Sequence, residues 1–523
     1  MNIRIAFESK TEEVPEKIYL YFGDKEISYK EFNSRINSIA NSLLDIGIRK
    51  SEKVCLMLSN CPEFLYVWFA LNKIGAVMVP INIHFKEEEI KYIVNHVETR
   101  LVFVAEDFAS ILETIRKDCK LVQNIVCVGE KSFPNMLSFS HMYKNSTSLR
   151  SIDIDENDDA VYVYTSGTTG VPKGVILPHR TYLLAGRHYA SIVGASRHDR
   201  FMTPNPLFHA NAQVYSTMGS ILTGASLILL ERFSASRLWE QANRYKATVI
   251  VLTAATIPMI LSQPKKKWDT DHMVRVVNSG YGGDRFDEFE RRFDVKLLSG
   301  YSLTEATMGS FDSVCSIRKA GSNGRAQPHP DPGVVNEIKI VDDEGRELRK
   351  GEVGEIVLKN PAIMKGYFRD PEKTADTLRN GWVYTGDLGK MDEDGFLTFI
   401  ARKKDIIRKK GENISPAEVE GVINNHSKVS ESAVIGIASG LGLGDEEILA
   451  FVVLKGGERA SDQELIRWCS SYLADFKIPS YFEFRESLPK TPTGKIMKAA
   501  LKSERDNVKL SCSDREIKKE NKK

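Results

Sequence analysis

A loop rich in glycine and hydroxyl groups carries the clearest chemical signal in the sequence. Residues 165–175 read Thr-Ser-Gly-Thr-Thr-Gly-Val-Pro-Lys-Gly-Val. Glycine lets backbone N–H groups approach a ligand closely, and Lys173 adds a compact positive charge. Such a set suits the binding of a polyphosphate, whose oxygens gain charge as a phosphate bond breaks. A solvated turn without a ligand is the alternative that this loop alone leaves open.

The elements around this loop are predicted to be strands. Residues 160–164 (AVYVY) and 175–177 (VIL) are short apolar runs typical of buried strands, so the loop should join the two arms of a hairpin. The order Pro-Lys-Gly leads into a strand, whereas a Walker A loop has Gly-Lys-Ser/Thr leading into a helix. A different kind of phosphate loop is therefore indicated.

The loop resembles the signature loop of the adenylate-forming superfamily, which includes acyl-CoA synthetases, peptide-synthetase adenylation domains and firefly luciferases. The resemblance implies an α/β fold with a large N-terminal domain, consisting of two α/β lobes and a β-rich part, and a smaller, mobile α+β C-terminal domain. It also implies that Thr165 contributes to a metal site. The implied nucleotide-binding residues of this loop are Thr165, Ser166, Gly167, Thr168, Thr169, Gly170 and Lys173.

A second motif, residues 299–305 (SGYSLTE), resembles the superfamily pattern Tyr-Gly-x-Thr-Glu, with Ser302 in place of the glycine. A threonine hydroxyl can bond a phosphate or carboxylate oxygen, and a glutamate can ligate Mg²⁺, which prefers hard oxygen ligands. The resemblance gives these roles to Thr304 and Glu305. The start of a helix with an acidic first turn is the alternative. The resemblance adds Ser299, Gly300 and Tyr301 as nucleotide-binding residues, with Tyr301 stacking on adenine, and Leu303 as an acid-binding residue.

Two further segments resemble those that line the acid pocket. Residues 206–211 (PLFHAN) place His209 where amino-acid-activating relatives have an aspartate, which argues against an α-amino acid substrate. Asn211 belongs to the same segment. Residues 279–284 (SGYGGD) loosely match a glycine-rich turn beside the pocket, and this match implies Gly280 and Tyr281 as acid-binding residues. A structural histidine and an ordinary strand-end turn are the alternatives.

The last motifs lie nearer the C-terminus. Residues 384–387 (YTGD) match the superfamily pattern, in which Asp387 accepts hydrogen bonds from both ribose hydroxyls. Arg402 would also reach the ribose, and Lys404 occupies the position of the hinge between domains. Gly411 resembles a residue of the pantetheine tunnel. The segment 489–496 (PKTPTGKI) implies that Lys495 approaches the α-phosphate and the carboxylate of the acid.

Length and texture predict more than one domain. The 523 residues exceed what one core commonly holds. Strands alternate with helices through the first part of the chain, which predicts largely parallel sheets. We expect an N-terminal ATP- and acyl-binding domain over residues 1–401 and a C-terminal domain over 402–502. Residues 503–523 are rich in charge and poor in apolar side chains, and we expect them to be disordered.

Composition excludes some functions. The net charge is +2, too balanced to favour a nucleic acid or an anionic membrane as partner. The seven cysteines are scattered without a CxxC spacing, which indicates reduced thiols and a cytoplasmic protein. The most apolar run, residues 64–83, is interrupted by Asn72, Lys73, Gly75 and Pro80. It is therefore expected to be a buried helix and a strand, and no integral membrane segment is expected.

Together the motifs imply an AMP-forming acid–thiol ligase that uses ATP, Mg²⁺ and coenzyme A. Residues 73–82 and 233–239 are similar to the crotonobetaine/carnitine-CoA ligase branch, and Tyr281 and Tyr215 could offer an aromatic face to a quaternary ammonium. Medium- or long-chain fatty acids and aryl acids stay open as substrates. An adenylation enzyme that loads a carrier protein is a second class, and a non-catalytic ATP-binding scaffold is disfavoured. The oligomeric state, including a homo-oligomer, stays open.

Overall fold

The computed structural model describes residues 1–144, 148–149, 152–165, 172–280, 285–409, 412–438, 446–490 and 496–506. The chain divides into two compact units. The larger unit comprises Met1–Thr385 and Gly389–Phe399, and the smaller comprises Gly386–Leu388 and the chain from Ile400 onward. The fold is α/β, with a large N-terminal and a smaller C-terminal part, as the sequence predicts.

The first sheet of the larger unit carries the hairpin predicted around the glycine-rich loop. Strands Asp159–Thr165 and Lys173–Pro178 pair antiparallel, which confirms that prediction. The inner strands that follow them in the sheet pair parallel. From edge to edge the eight strands are Gly366–Tyr367, Lys173–Pro178, Asp159–Thr165, Val77–Pro80, Lys53–Met57, Leu101–Ala105, Asn124–Val128 and Leu137–Ser138.

The second sheet of the larger unit brings three of the predicted loops to one edge. Its central strands are parallel, so their carboxyl ends lie on the same side. Loops that begin after Thr203, Asn278 and Leu298 therefore leave from one edge. The seven strands in order are Lys296–Leu298, Val276–Asn278, Val249–Val251, Arg200–Thr203, Ser226–Leu229, Ile18–Phe22 and Lys25–Ser28.

Helices cover both sheets. Helix Pro62–Lys73 is buried along almost its whole length, and the strand Val77–Pro80 follows it, which confirms the prediction for the most apolar run. No helix in the described part of the chain is long and apolar enough to cross a bilayer. The other helices of the larger unit are Ile3–Glu13, Tyr29–Ile46, Glu87–His96, Ala109–Ile115, His179–Ile192, Gly219–Thr223, Leu238–Tyr245, Thr256–Leu261, Phe286–Phe293 and Pro371–Thr377, and a π-helical segment spans Ala212–Met218.

Short strands replace the α/β alternation after the second sheet, in agreement with the β-rich part that the resemblance implies. Three of them form a small sheet from Gly300–Tyr301, Ser310–Phe311 and Arg325–Ala326. A further sheet consists of Glu337–Val341, Gly354–Lys359, Trp382–Met391, Leu378–Arg379 and Leu397–Arg402.

The smaller unit has its own core. Strands Val429–Ala438 and Glu446–Leu454 pair antiparallel, and Tyr481–Phe484 joins them in parallel. The two-stranded sheet Ile407–Lys409 and Glu412–Ile414 stands beside them. Side chains such as Val419, Val434 and Leu465 pack between the sheet and the helices. The helices of the smaller unit are Pro416–Asn424, Asp462–Ser470 and Lys498–Asp506.

The sequence predicts a disordered tail from residue 503, but the structure continues as a helix past this residue. Helix Lys498–Asp506 includes residues 503–506, which were assigned to that tail. Leu501 is fully buried in the core of the smaller unit, and Arg485 binds Glu504 at 2.8 Å. The buried Leu501 side chain and this ion pair stabilise the helix, although its charged composition does not predict an ordered element. Residues 507–523 lie outside the described residues.

Candidate active site

The hairpin places Thr165 directly opposite Lys173 in the strand register. The intervening candidate residues, Ser166 to Gly170, lie outside the described residues. Burial lowers the pKa of Lys173, and the charge of Lys373 lowers it further, whereas the nearby carboxylate of Glu305 acts in the opposite direction. The Lys173 ammonium also lies 5.6 Å from the centroid of the Tyr367 ring.

Tyr367 connects the hairpin to the second motif. Its hydroxyl donates a hydrogen bond to Glu305 Oε1 at 2.8 Å. Burial and the charge of Glu305 raise the pKa of Tyr367, so the phenol remains protonated. Glu305 is partly exposed, and its second oxygen can serve a ligand. The sequence analysis missed Tyr367 because a lone tyrosine so far from Glu305 in sequence gives no signal.

The segment with Thr304 and Glu305 is a loop. Leu303 and Ala306 exchange backbone hydrogen bonds at 3.2 Å, and the backbone N–H of Met364 donates to the Glu305 carbonyl at 2.9 Å. The alternative of a helix start at this motif is wrong, because residues 302–305 form no helix. These backbone hydrogen bonds fix the loop and thereby position Thr304 and Glu305.

Gly300 and Tyr301 form one strand of the small three-stranded sheet, and Ser299 directly precedes it. A Cβ atom on Gly300 would lie 2.4 Å from Phe311 Cδ1, so this position requires glycine. Gly280 has a φ of +66°, and a Cβ there would lie 3.1 Å from the Gly300 carbonyl oxygen. The structure therefore brings these two predicted loops together, while Tyr281 lies outside the described residues.

A buried carboxyl group holds the start of this segment. Asp312 Oδ2 accepts the backbone N–H of Ser299 at 3.0 Å, and the Asp312 N–H donates to the Ser299 carbonyl at 2.9 Å. Burial raises the pKa of Asp312 to about 6, although the bond from Ser299 opposes the shift. Asp312 is a positioning residue that the sequence motifs do not include.

His209 and Asn211 follow the strand Arg200–Thr203 at the carboxyl edge of the second sheet. The His209 ring lies 4.7 Å from that of Phe208. Asn211 Oδ1 accepts a hydrogen bond from Asn205 Nδ2 at 2.7 Å. Asn60 donates to the Asn205 carbonyl at 3.0 Å and fixes the loop from the other side. His209 thus lies at the end of a braced loop, and Asn211 lies in the helical turn that starts the π-helical segment Ala212–Met218.

Tyr215, in the π-helical segment, fills the core rather than facing a cation. Only 5% of the residue is exposed, and its ring packs 4.8 Å from the ring of Tyr189. Its hydroxyl is hydrogen-bonded to Ser302 Oγ at 2.7 Å and to the Thr307 carbonyl at 2.8 Å. The suggestion that Tyr215 offers a face to a quaternary ammonium is therefore wrong, because both its ring and its hydroxyl are already engaged.

In the smaller unit, Arg402 Nε lies 2.8 Å from Asp387 Oδ1. The Asp387 side chain is only 2% exposed and that of Arg402 is 45% exposed. The structure thus joins two of the predicted ribose-binding residues. Gly411 and Lys495 lie outside the described residues; a bridge between Lys490 and Ile496 flanks the segment with Lys495.

Family models and curated relatives match this chain over most of its length. The family model for AMP-binding enzymes matches residues 7–368, and that for the AMP-binding enzyme C-terminal domain matches residues 418–495. The crotonobetaine/carnitine–CoA ligase of Salmonella choleraesuis (strain SC-B67) is 36% identical over 490 residues, 91% of this chain and 93% of that protein. The same-named protein of Shigella flexneri is 37% identical over 487 residues, with the same coverage of both chains.

Solved structures show the same architecture. The anthranilate CoA ligase AuaEII in complex with anthranoyl-AMP matches with a TM-score of 0.89 and 27% identity, covering 97% of both chains. ATP-bound MatB from Rhodopseudomonas palustris matches with a TM-score of 0.86 and 25% identity, covering 97% of this chain and 99% of that one.

Proposed function

Because this chain belongs to the AMP-binding enzyme family, and within it to the acyl-CoA ligases, we propose that it joins a carboxylic acid bearing a trimethylammonium group to CoA. Crotonobetaine and carnitine are the candidate acids. The observation that carries this choice is the 36% identity to crotonobetaine/carnitine–CoA ligase, which extends over 91% of the chain. His209, in place of an aspartate that would bind an α-ammonium, supports an acid that is not an α-amino acid.

The proposed reaction has two steps. A carboxylate oxygen attacks the α-phosphorus of ATP, and the bond to the bridging oxygen breaks, so that pyrophosphate leaves. CoA loses its thiol proton to solvent, its thiolate sulfur attacks the acyl carbon, and AMP leaves with the electron pair of the broken C–O bond. AMP is a far better leaving group than the oxygen of a free carboxylate. The protein needs no covalent nucleophile, and its contribution is positioning and charge stabilisation.

We assign the phosphates to Lys173, the hairpin residues from Thr165 onward and Thr304. Burial of Lys173 lowers its pKa but leaves it next to Glu305, whose charge favours the ammonium form. An ammonium held there can stabilise charge on phosphate oxygens as the bond breaks. Lys495 is assigned to the α-phosphate and the carboxylate, Asp387 and Arg402 to the ribose, and Gly411 to the CoA tunnel.

The acid and the adenine are assigned to the loops at the carboxyl edge of the second sheet. We assign five residues to the binding pocket of the acid: His209, Asn211, Gly280, Tyr281 and Leu303. One face of the Tyr301 ring stacks on Phe399, with centroids 6.0 Å apart and planes 22° from parallel. We assign Tyr301 to the adenine as an aromatic stacking residue.

The residues present fit a magnesium ion. Within the described residues, no three His, Cys, Asp or Glu side chains gather into a metal site. Mg²⁺ commonly uses one or two carboxylates, with water and substrate phosphates as its other ligands. Glu305 offers a partly exposed carboxylate, and Thr165 offers a hydroxyl. We propose that they hold Mg²⁺, which when bound would neutralise phosphate charge.

The test is a panel of acids assayed for ATP-dependent pyrophosphate release, with and without CoA. We expect the highest kcat/KM for crotonobetaine or carnitine, and little turnover without CoA. A higher kcat/KM for an uncharged acid of the same length would contradict the trimethylammonium proposal. Anthranilate and benzoate belong in the panel, because the likeness to AuaEII favours an aryl acid as the second candidate. Equal turnover without a thiol would exclude the ligase assignment.

We further propose a cytoplasmic location. Cys55, Cys61 and Cys469 are among the described cysteines, all of which are free thiols in the structure. Free thiols are typical of a reducing compartment. Fractionation of the source cells with a disulfide-bonded periplasmic or secreted protein as marker tests the location.

A further inference from the structure

A cationic cavity lies at the amino ends of the parallel strands of the second sheet. It has a volume of about 300 Å³ and lies where Ile18–Phe22, Arg200–Thr203 and Ser226–Leu229 begin. The loops assigned to catalysis leave from the carboxyl ends of this sheet, so the cavity is on the opposite edge. Four basic side chains line it with one tyrosine and one serine: Lys17, Arg197, His198, Arg200, Tyr21 and Ser226.

Two of the cations are held in place by neutral groups. The Lys17 ammonium donates to the carbonyl oxygen of Gly224 at 2.6 Å and to that of Arg197. Arg200 Nη1 donates to the Tyr245 carbonyl at 2.9 Å, and its guanidinium lies 4.7 Å from the Tyr21 ring centroid. Carbonyl oxygens and an aromatic face are neutral, so they orient these side chains but do not neutralise their positive charges.

Charge in the cavity is poorly balanced. No residue that lines it, all of them in the described part of the chain, is acidic. Burial lowers the pKa of Lys17, and the charges of Arg197 and Arg200 lower it further. The neighbouring Asp199 opposes this shift, but its carboxylate is engaged by Arg275 at 3.1 Å. An anion in the cavity would relieve the mutual repulsion of the cations.

We propose that this cavity binds a small oxyanion with at least two negative charges, of the phosphate or pyrophosphate class. Its volume is at the lower end of the range for ligand pockets, which fits a small ion. Arginine presents a planar set of donors that matches phosphate oxygens, and Lys17 adds a point charge. The site is separate from the ATP site and does not depend on the identity of the acid.

The test is isothermal titration of the full-length protein with inorganic pyrophosphate and with inorganic phosphate. Lys173→Ala weakens binding at the proposed catalytic loop, so binding that persists in this variant reports other sites. In that background, Arg197→Glu should weaken the persistent binding about tenfold or more, because it replaces a charge-assisted contact by repulsion. The matched control Lys265→Glu makes the same charge change at an exposed position outside the cavity. It should leave the binding unchanged.

Arg200→Gln provides a second variant that removes the charge but keeps a polar hydrogen-bond donor, and it should also weaken the persistent binding. Tighter binding of pyrophosphate than of phosphate would identify a diphosphate group as the ligand, and the reverse order a monophosphate. If Lys173→Ala abolishes all binding, or if Arg197→Glu and Lys265→Glu bind alike, the site does not exist. Circular dichroism, together with the basal ligase rate of Arg197→Glu and Arg200→Gln made singly in the protein that keeps Lys173, verifies the fold; both single variants should retain that rate.

Discussion

At the scale of single residues, Asp387 shows how a motif and a contact support each other. The Tyr-Thr-Gly-Asp pattern predicts a carboxylate for the ribose, and the structure buries that carboxylate beside Arg402. A buried carboxylate is costly unless it is paired or hydrogen-bonded. Arg402 pairs with the Asp387 carboxylate and orients it, while the arginine side chain remains 45% exposed to a ligand.

Asp387→Ala should raise the KM for ATP. Losing charge-assisted hydrogen bonds to the ribose costs about 1.5–3 kcal/mol, which is roughly a tenfold to hundredfold weaker interaction. Steady-state kinetics with ATP as the varied substrate measure the effect. Asp394→Ala, which removes an exposed carboxylate from a turn, is the control. An unchanged KM and kcat in Asp387→Ala would remove this residue from the site.

His179 gives a stability prediction that is independent of catalysis. Burial lowers its pKa to about 4, because the charged imidazolium would lose its hydration. The unfolded chain binds this proton near pH 6.5, so the native state binds fewer protons between those values. Stability from neutral His179 is therefore complete above pH 6.5 and is lost as pH falls toward 4.

The loss from this one group should be about 2 kcal/mol near pH 5. His179→Asn keeps an acceptor for the backbone N–H of Ile3, which lies 3.4 Å from His179 Nδ1, but cannot titrate. Urea unfolding at about pH 8 and about pH 5 should show a smaller acid-induced loss in the variant. Equal losses in the wild type and His179→Asn would show that this histidine does not contribute to acid sensitivity.

Tyr367 and Asp312 were both missed by the motif analysis for the same physical reason. Tyr367 and Asp312 act on Glu305 and Ser299 through contacts that depend on how separate strands meet. Spacing along one stretch of chain predicts groups that face one ligand, but it says nothing about partners from another element. Thr304 and Glu305 were identifiable because the motif is contiguous, and their supporting contacts were not.

At the scale of elements, periodicity predicted most of what positions the site. Helix Tyr29–Ile46 buries apolar side chains at helical spacing, and Ser28 caps its start by accepting the backbone N–H of Glu31. The hairpin around the glycine-rich loop was also predictable. The π-helical segment Ala212–Met218 was not, because its apolar and hydroxyl residues have no pattern that separates it from an α-helix.

This segment should control the second motif through Tyr215. Tyr215→Phe leaves Ser302 Oγ and the Thr307 carbonyl without a buried partner, which costs about 1–3 kcal/mol. The loop between them carries Thr304 and Glu305, so we expect a lower kcat for pyrophosphate release. The KM for CoA should stay near its wild-type value. Pyrophosphate release measured with CoA varied separately provides both quantities.

Tyr189→Phe is the matched control for this prediction. Tyr189 is equally buried, its ring packs on Tyr215, and among the described residues its hydroxyl has no hydrogen-bond partner. Removing that hydroxyl should therefore leave kcat unchanged. If Tyr215→Phe and Tyr189→Phe reduce kcat alike, the effect comes from the core and the hydrogen bonds of Tyr215 do not position the motif.

At the scale of the whole molecule, the change in texture along the sequence predicted two parts of unequal size. The structure adds that Gly386–Leu388 belong with the smaller unit although they precede it in the chain. The sequence does not reveal this assignment, because strand Trp382–Met391 has one continuous apolar pattern although its residues contribute to both units. As a result Asp387 and Arg402 lie in the unit that also contains Gly411 and Lys495.

This shared unit leads to a prediction about the two half-reactions. We expect Lys495→Ala to slow acyl-adenylate formation on the order of 10²–10³-fold, because it removes a cation from charge that develops at the α-phosphate. Thioester formation from preformed acyl-AMP should be largely unaffected. Gly411→Leu should do the reverse, because a larger side chain would obstruct the path of the thiol and leave the phosphates untouched.

Single-turnover assays separate the two outcomes. Pyrophosphate release from ATP and acid reports the first half-reaction, and consumption of acyl-AMP by CoA reports the second. Lys498→Ala is a control, since it removes a nearby lysine whose ammonium lies 2.7 Å from Glu420 inside the smaller unit. Any loss of stability from that ion pair should lower both rates together. If Lys495→Ala and Gly411→Leu also slow both half-reactions equally, with circular dichroism unchanged, then the smaller unit does not divide its residues between adenylation and thiol transfer.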